Sequence, residues 1–116
     1  MKAISAILTA LALLTLTFAC RASGADPAKV HDKIKAGALV VDVRTQAEFT
    51  AEAYQGAMNI PLDQVEKRLT EFGDHKRAIV LYCRSGHRAG QAKAILEKNG
   101  FVDVTNAGGL KDMPAR

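Results

Sequence analysis

Two apolar runs, Leu39-Val40-Val41-Asp42-Val43, which bears one acid, and Ala78-Ile79-Val80-Leu81-Tyr82, dominate the patterning of the chain. Neither alternates with polar residues, so each predicts a strand buried on both faces. Between them Leu62, Val65, Leu69 and Phe72 recur at helical spacing and predict a helix from about Leu62 to Phe72. Asp26-Pro27 reads as an N-cap with proline at the first helical position, opening a helix to about Ala36 that Gly37 stops. Thr45 and Glu48 have the spacing of a capping box, which starts a short helix through Phe49. Asn59-Ile60 predicts a very short strand ended by Pro61. Ala89 to Asn99 predicts a helix capped by Gly100, and Phe101 to Val104 a last strand before Gly108-Gly109 turns the chain. Helix and strand alternate throughout, with short connections. Buried, non-alternating strands in that order imply an α/β domain: an open parallel sheet with helices on both faces.

The beginning of the chain stands apart from this alternation. Lys2 precedes an apolar stretch from Ala3 to Ala19, followed by the small residues Ala22, Ser23, Gly24 and Ala25. That is the layout of a secretory signal peptide, so residues 1–25 are expected to be a leader and residues 26–116 one domain, exported to the periplasm. Cleavage after Ala19 is a second option, and an uncleaved membrane anchor a third. Lipidation at Cys20 is a fourth, although Thr17 and Phe18 fit a lipoprotein signal poorly. The whole chain has 116 residues, enough for one small domain and not two. Its formal charge of +4 falls when Lys2 and Arg21 leave. Without a lysine run or interleaved aromatics, the remainder gives no support for nucleic-acid binding. His31 and His75 do not pair with cysteines at zinc-like spacing, so neither a metal nor another cofactor is expected.

If cleavage follows Ala25, Cys83 is the single cysteine left, in an oxidising compartment where it has no internal partner. It stands where the second apolar run ends, followed by Arg84-Ser85-Gly86-His87-Arg88 and then a helix. A thiol between a strand end and a helix start meets free backbone N–H groups, the positive end of the helix dipole and two guanidinium groups. All three favour negative charge on sulfur, the state in which cysteine is a nucleophile. In an open parallel sheet the carboxyl ends of the strands form the ligand edge. Cys83 falls there, with Asp42, Arg44 and the segment Asn106 to Gly109.

With these residues placed, the chain resembles a single-domain rhodanese, a thiosulfate sulfurtransferase of the exported bacterial kind. The resemblance runs from about Asp26 to Met113. It is carried by Val40-Val41-Asp42-Val43-Arg44, Glu48-Phe49, Gly56-Ala57, Asn59-Ile60-Pro61, the loop Cys83 to Arg88, and Val104 with Gly108-Gly109. It implies that the Cys83 thiolate attacks the outer sulfur of thiosulfate or a similar small anionic donor. A persulfide then passes its sulfur to cyanide, a thiol or a thioredoxin-like acceptor. The amides from Arg84 to Ala89 would curl around the sulfur, with Gly86 serving the curl. Arg84 and Arg88 would meet the anion, Arg88 closing the loop and Arg84 facing the incoming donor. Ser85 is expected to donate a hydrogen bond to the persulfide, and His87, within the same substrate-binding loop, to fill the loop or to stand behind the residues that touch the donor. Arg44 with Glu48, and Asp42 with the active loop, are expected as supporting ion pairs. Two positions depart from the family pattern. Glu52-Ala53-Tyr54 replaces a Gly-His-aliphatic triplet, and Met113 stands near the place of a tryptophan.

Two rival readings share parts of this pattern. Cysteine phosphatases also cradle an anion in a Cys-to-Arg loop, but theirs is one residue longer, and here that further position is Ala89. Rhodanese-like domains also occur as non-catalytic binding modules, which typically lack the cysteine that this chain keeps.

Overall fold

The computed structural model describes residues 24–116, and the predicted leader up to Ser23 lies outside the described residues. Among the described residues three α-helices, α1 (Pro27–Lys35), α2 (Gln46–Ala51) and α3 (His87–Lys98), alternate with β1 (Leu39–Asp42), β2 (Met58–Asn59), β3 (Ile79–Cys83) and β4 (Val104–Gly109). The four strands form one sheet in the order β2-β1-β3-β4, every neighbouring pair parallel. The predicted class, an open parallel sheet between helices, is the one observed.

Local chemistry accounts for the boundaries. The Asp26 carboxylate accepts from the Ala28 amide at 3.0 Å, and Pro27 fills the first turn of α1. Before α2, Thr45 Oγ1 accepts from the Glu48 amide at 3.2 Å while Glu48 Oε1 accepts from the Thr45 amide at 3.3 Å. That is the capping box the spacing predicts.

Strand alternation sorts the side chains into two cores. Val41, Ile79, Leu81 and Cys83 point to one face, where Ala89, Ala92 and Leu96 of α3 cover them together with Val65 and Phe72. Val40, Val80 and Tyr82 point to the other, against Val30 of α1. The fold begins ahead of α1: the Ala25 amide donates to the Asn106 carbonyl at 2.8 Å, on β4. No described helix is long and apolar enough to cross a membrane.

Two elements differ from the pattern-based expectation. Residues 62–72 form not an α-helix but two short 3-10 helices, Leu62–Lys67 and Leu69–Phe72. The last strand is Val104–Gly109 rather than Phe101 to Val104. Phe101 instead turns its ring edge-on to Phe72, with centroids 6.1 Å apart, while Val102 is exposed.

Candidate active site

Cys83 is the last residue of β3, and Gly86 caps α3, so Arg84 and Ser85 alone bridge strand and cap. The Cys83 side chain is fully buried on the α3 face. Its Sγ accepts from the Gly86 amide at 2.9 Å and lies 3.5 Å from the Ala89 amide. Both amides belong to the opening turn of α3, where N–H groups lack intrahelical partners and the helix dipole is positive. Two donors aimed at one sulfur suit a sulfur that carries negative charge. Aiming the Gly86 amide inward takes a φ of 94°, which a residue with a side chain reaches only under strain.

The other loop residues divide by depth. Arg84, Ser85 and His87 are exposed, whereas Arg88 is half-buried. The Arg88 guanidinium donates from Nη1 and Nη2 to Oε1 and Oε2 of Glu48, at 2.7 and 3.0 Å. This two-pronged bond ties the end of the active loop to α2. Glu48 therefore serves the α2 cap and the loop at once. The hydrogen bond from Arg88, helped by those from Thr45, holds its carboxyl down to about 2. Arg88 is in turn raised, first by its hydrogen bond to Glu48 and then by the charges of Glu48 and Cys83.

The expected supporting pairs are corrected by this geometry. Arg44 does not reach Glu48, and Asp42 does not reach the active loop; they bind each other. Arg44 Nε lies 3.0 Å from both Asp42 oxygens, Nη2 donates to Oδ2 at 2.6 Å, and the Arg44 amide donates to Oδ1 at 2.8 Å. Strand alternation gives the reason. Asp42 shares the face of Val40 and Tyr82, opposite the face that carries Cys83. Arg44 precedes the cap of α2, so its four-residue spacing to Glu48 is not a helical one. The Arg44 Nη2 also donates to the Glu52 carbonyl at 2.6 Å, and Asn59 Nδ2 donates to the carbonyls of Asp42 and Arg44. Behind them Tyr82 is fully buried, its hydroxyl accepting from the Tyr54 amide at 3.0 Å, and burial pushes its phenol up to about 12.

A cavity of about 610 Å³ opens beside the loop, lined by Arg84, Arg44, Tyr54, Lys111, Met113 and Arg116 among others. Among the described residues no carboxylate pairs with Arg84. The two departures from the family pattern, Tyr54 and Met113, both face this space. Tyr54 meets Tyr82 edge-on at 6.4 Å and carries the Arg116 guanidinium 4.9 Å above its ring. At the far side of the loop β4 passes so close that a β-carbon on Gly109 would collide with the Arg84 carbonyl oxygen. Among the described residues no group of three histidine, cysteine, aspartate or glutamate side chains is placed to hold a metal ion.

The sequence alone paired Glu48 with Thr45 correctly but with Arg44 instead of Arg88, and it placed Tyr82 and Asn59 in strands without a part in supporting the site. The capping-box spacing was a signal for the position of Glu48, but nothing local signals that Arg88 lies opposite it.

A parallel α/β sheet with a strand that ends in a buried cysteine, facing the amides of an arginine-closed loop, defines the class, and comparison with known proteins agrees. The rhodanese-like domain family matches residues 26–113, and the chain belongs to it. It is an enzyme of the sulfurtransferase class. Over 74 residues it is 45% identical to the thiosulfate sulfurtransferase PspE of Escherichia coli strain K12, covering 63% of this chain and 71% of that one. Over 71 residues it is 38% identical to a sulfurtransferase of Allochromatium vinosum, covering 61% and 65% of the two chains. Among solved structures, a rhodanese with anions from E. coli superposes with a TM-score of 0.63 at 43% identity, over 67% of this chain and 95% of that one.

The Glu48–Arg88 bond makes stability depend on acid in a stated direction. Glu48 binds its proton more weakly in the folded chain than in the unfolded one, so its contribution is complete above about 4.5 and is lost as pH falls towards about 2. Urea unfolding of wild type and Glu48→Gln between neutral pH and pH ~2 should show a stability gap that closes across this window. A gap that stays constant would mean that Glu48 is not held ionised by Arg88.

Proposed function

We propose that this enzyme moves sulfane sulfur from thiosulfate, or a similar small anionic donor, to cyanide or a thiol by way of a Cys83 persulfide. The observation that carries the reading is the Cys83 sulfur at the end of β3 with the Gly86 and Ala89 amides directed at it. In the first half-reaction the thiolate sulfur attacks the outer sulfur of thiosulfate. A new sulfur–sulfur bond forms as the donor's own breaks, and sulfite leaves with the bonding pair. The anionic outer sulfur left on Cys83 needs hydrogen-bond donors rather than a base, and the opening turn of α3 supplies them. In the second half-reaction cyanide or a thiolate takes that sulfur, and Cys83 leaves as the thiolate again.

Arg84 is the cation that receives the donor. Arg88 is engaged by Glu48, whereas Arg84 lines the open cavity, and the planar guanidinium fork suits a dianion. The similarity to a rhodanese solved with anions supports an anion site in this region. Export to the periplasm rests on the leader-like layout of residues 1–25, and a thioredoxin-like acceptor on the family resemblance.

Intact mass of the exported protein, with and without thiosulfate, tests the reading. Loading should add one sulfur atom per chain and release one sulfite, cyanide should remove that sulfur as thiocyanate, and the same spectrum reads the processed terminus. Failure to load would overturn it. The recognition role is read by comparing Arg84→Ala with wild type on thiosulfate and on a neutral persulfide donor. Losing a hydrogen bond to a charged group costs about 1.5–3 kcal/mol, so the preference for thiosulfate should fall about ten- to a hundredfold. An unchanged preference would make Arg84 a bystander.

A further inference from the structure

Gly86 is the pivot of the active loop, and its two polar atoms look in different directions. Its amide donates to Cys83 Sγ at 2.9 Å. Its carbonyl accepts from the Gly90 amide at 2.9 Å, an early hydrogen bond of α3, and from Asn106 Nδ2 at 2.9 Å. Asn106 lies on β4, twenty residues further along the chain, so this last bond ties the pivot to a second strand of the sheet.

The orientation of the Asn106 amide is determined by its other partner. The Gly108 amide reaches Asn106 Oδ1 at 2.9 Å, and an N–H can only donate. The Gly86 carbonyl can only accept, so it must face Nδ2. Asn106 is thus held at both ends and has one way to point.

The strand is shaped for this task. β3 and β4 are in register up to Leu81 opposite Asn106, yet Cys83 faces Gly109, so β4 carries an extra residue across this step. Such a bulge re-aims the side chain beside it. The same step brings Gly109 against the Arg84 carbonyl. The loop therefore rests on β4 at both of its bridging ends, at Arg84 through close backbone packing and at Gly86 through Asn106.

We propose that Asn106 is a positioning residue for sulfur transfer: it holds Gly86 so that the loop amides stay directed at Cys83 while the sulfur gains and loses its second atom. This inference rests on the persulfide reading above. Asn106 binds neither donor nor acceptor, so its loss should slow the chemical step without weakening donor binding. A misplacement of about an ångström at a reacting centre lowers a rate roughly a hundredfold.

The test is single-turnover sulfite release from thiosulfate, followed across thiosulfate concentration for wild type, Asn106→Ala and Asn106→Asp. Each variant is checked by circular dichroism and urea unfolding. Asn106→Asp keeps the acceptor for Gly108 but sets a carboxylate oxygen against the Gly86 carbonyl, so it should lose at least as much as Asn106→Ala. The expected result is a saturating rate lowered about ten- to a hundredfold in both folded variants, with the half-saturating concentration within threefold of wild type. If Asn106→Ala does not fold, Asn106→Asp alone decides by the same criterion. A saturating rate equal to wild type, or a change confined to the half-saturating concentration, would overturn the assignment. Should wild type release no sulfite, the persulfide reading itself falls, which is a different failure from a variant as fast as wild type.

Discussion

Cys83→Ser should abolish thiocyanate formation while leaving the circular dichroism and urea midpoint close to wild type. The hydroxyl is similar in size to the thiol it replaces in the packed space under Ala89, but it does not ionise at neutral pH and has no sulfur to extend. Removing the nucleophile of a covalent mechanism lowers turnover by on the order of 10³-fold or more. No sulfur adduct should appear in the intact mass after thiosulfate. Turnover by this variant within tenfold of wild type would remove Cys83 from the mechanism.

Asp42→Ala should produce the largest loss of stability, about 3–5 kcal/mol in urea unfolding. Asp42 is 0% exposed and Arg44 6%, so deleting the carboxylate leaves a buried main-chain amide without its acceptor and a buried guanidinium with only the Glu52 carbonyl. Arg44 is raised mainly by its hydrogen bond to Asp42, the reverse of what burial alone would do. Because Asp42 points away from the Cys83 face, the folded fraction of this variant should still take up sulfur on Cys83. A cost below about 1 kcal/mol, the range of exposed ion pairs, would show that water reaches the pair.

These two residues also mark how far the sequence could be read. The buried strands, the Thr45–Glu48 cap and the placing of Cys83 followed from local patterns, because apolar runs and caps are decided within a few residues. Leu62, Val65, Leu69 and Phe72 misled for a geometric reason. Leu62 and Val65, and again Leu69 and Phe72, are three apart, which is one turn of a 3-10 helix as well as nearly one turn of an α-helix. Arg68, at φ −123°, breaks the two apart. The last strand was placed too early because beyond Val104 β4 is an edge strand of small and polar residues that joins the sheet through its main chain. Phe101, the most apolar residue nearby, serves as a plug against Phe72 and His75 instead. The charge pairs were beyond local reading. Which acid meets which arginine depends on strand faces and on helices brought together from distant parts of the chain.

That distance has a consequence for how the enzyme comes into being. Every strand pair is parallel, so among the described residues no hairpin offers a short-range nucleus for the sheet. The two central strands meet only after the whole stretch containing α2, β2 and the 3-10 helices has been closed into a loop, and the Glu48–Arg88 bond spans 40 residues. Loop closure on that scale must precede the contacts that reward it, which places such a chain among slower folders than a helical bundle of its size. The site cannot be complete before the elements that carry it. Its loop needs β3 in place, α3 packed and β4 laid alongside, so a newly made chain passes through states in which its thiol has no amide donors around it.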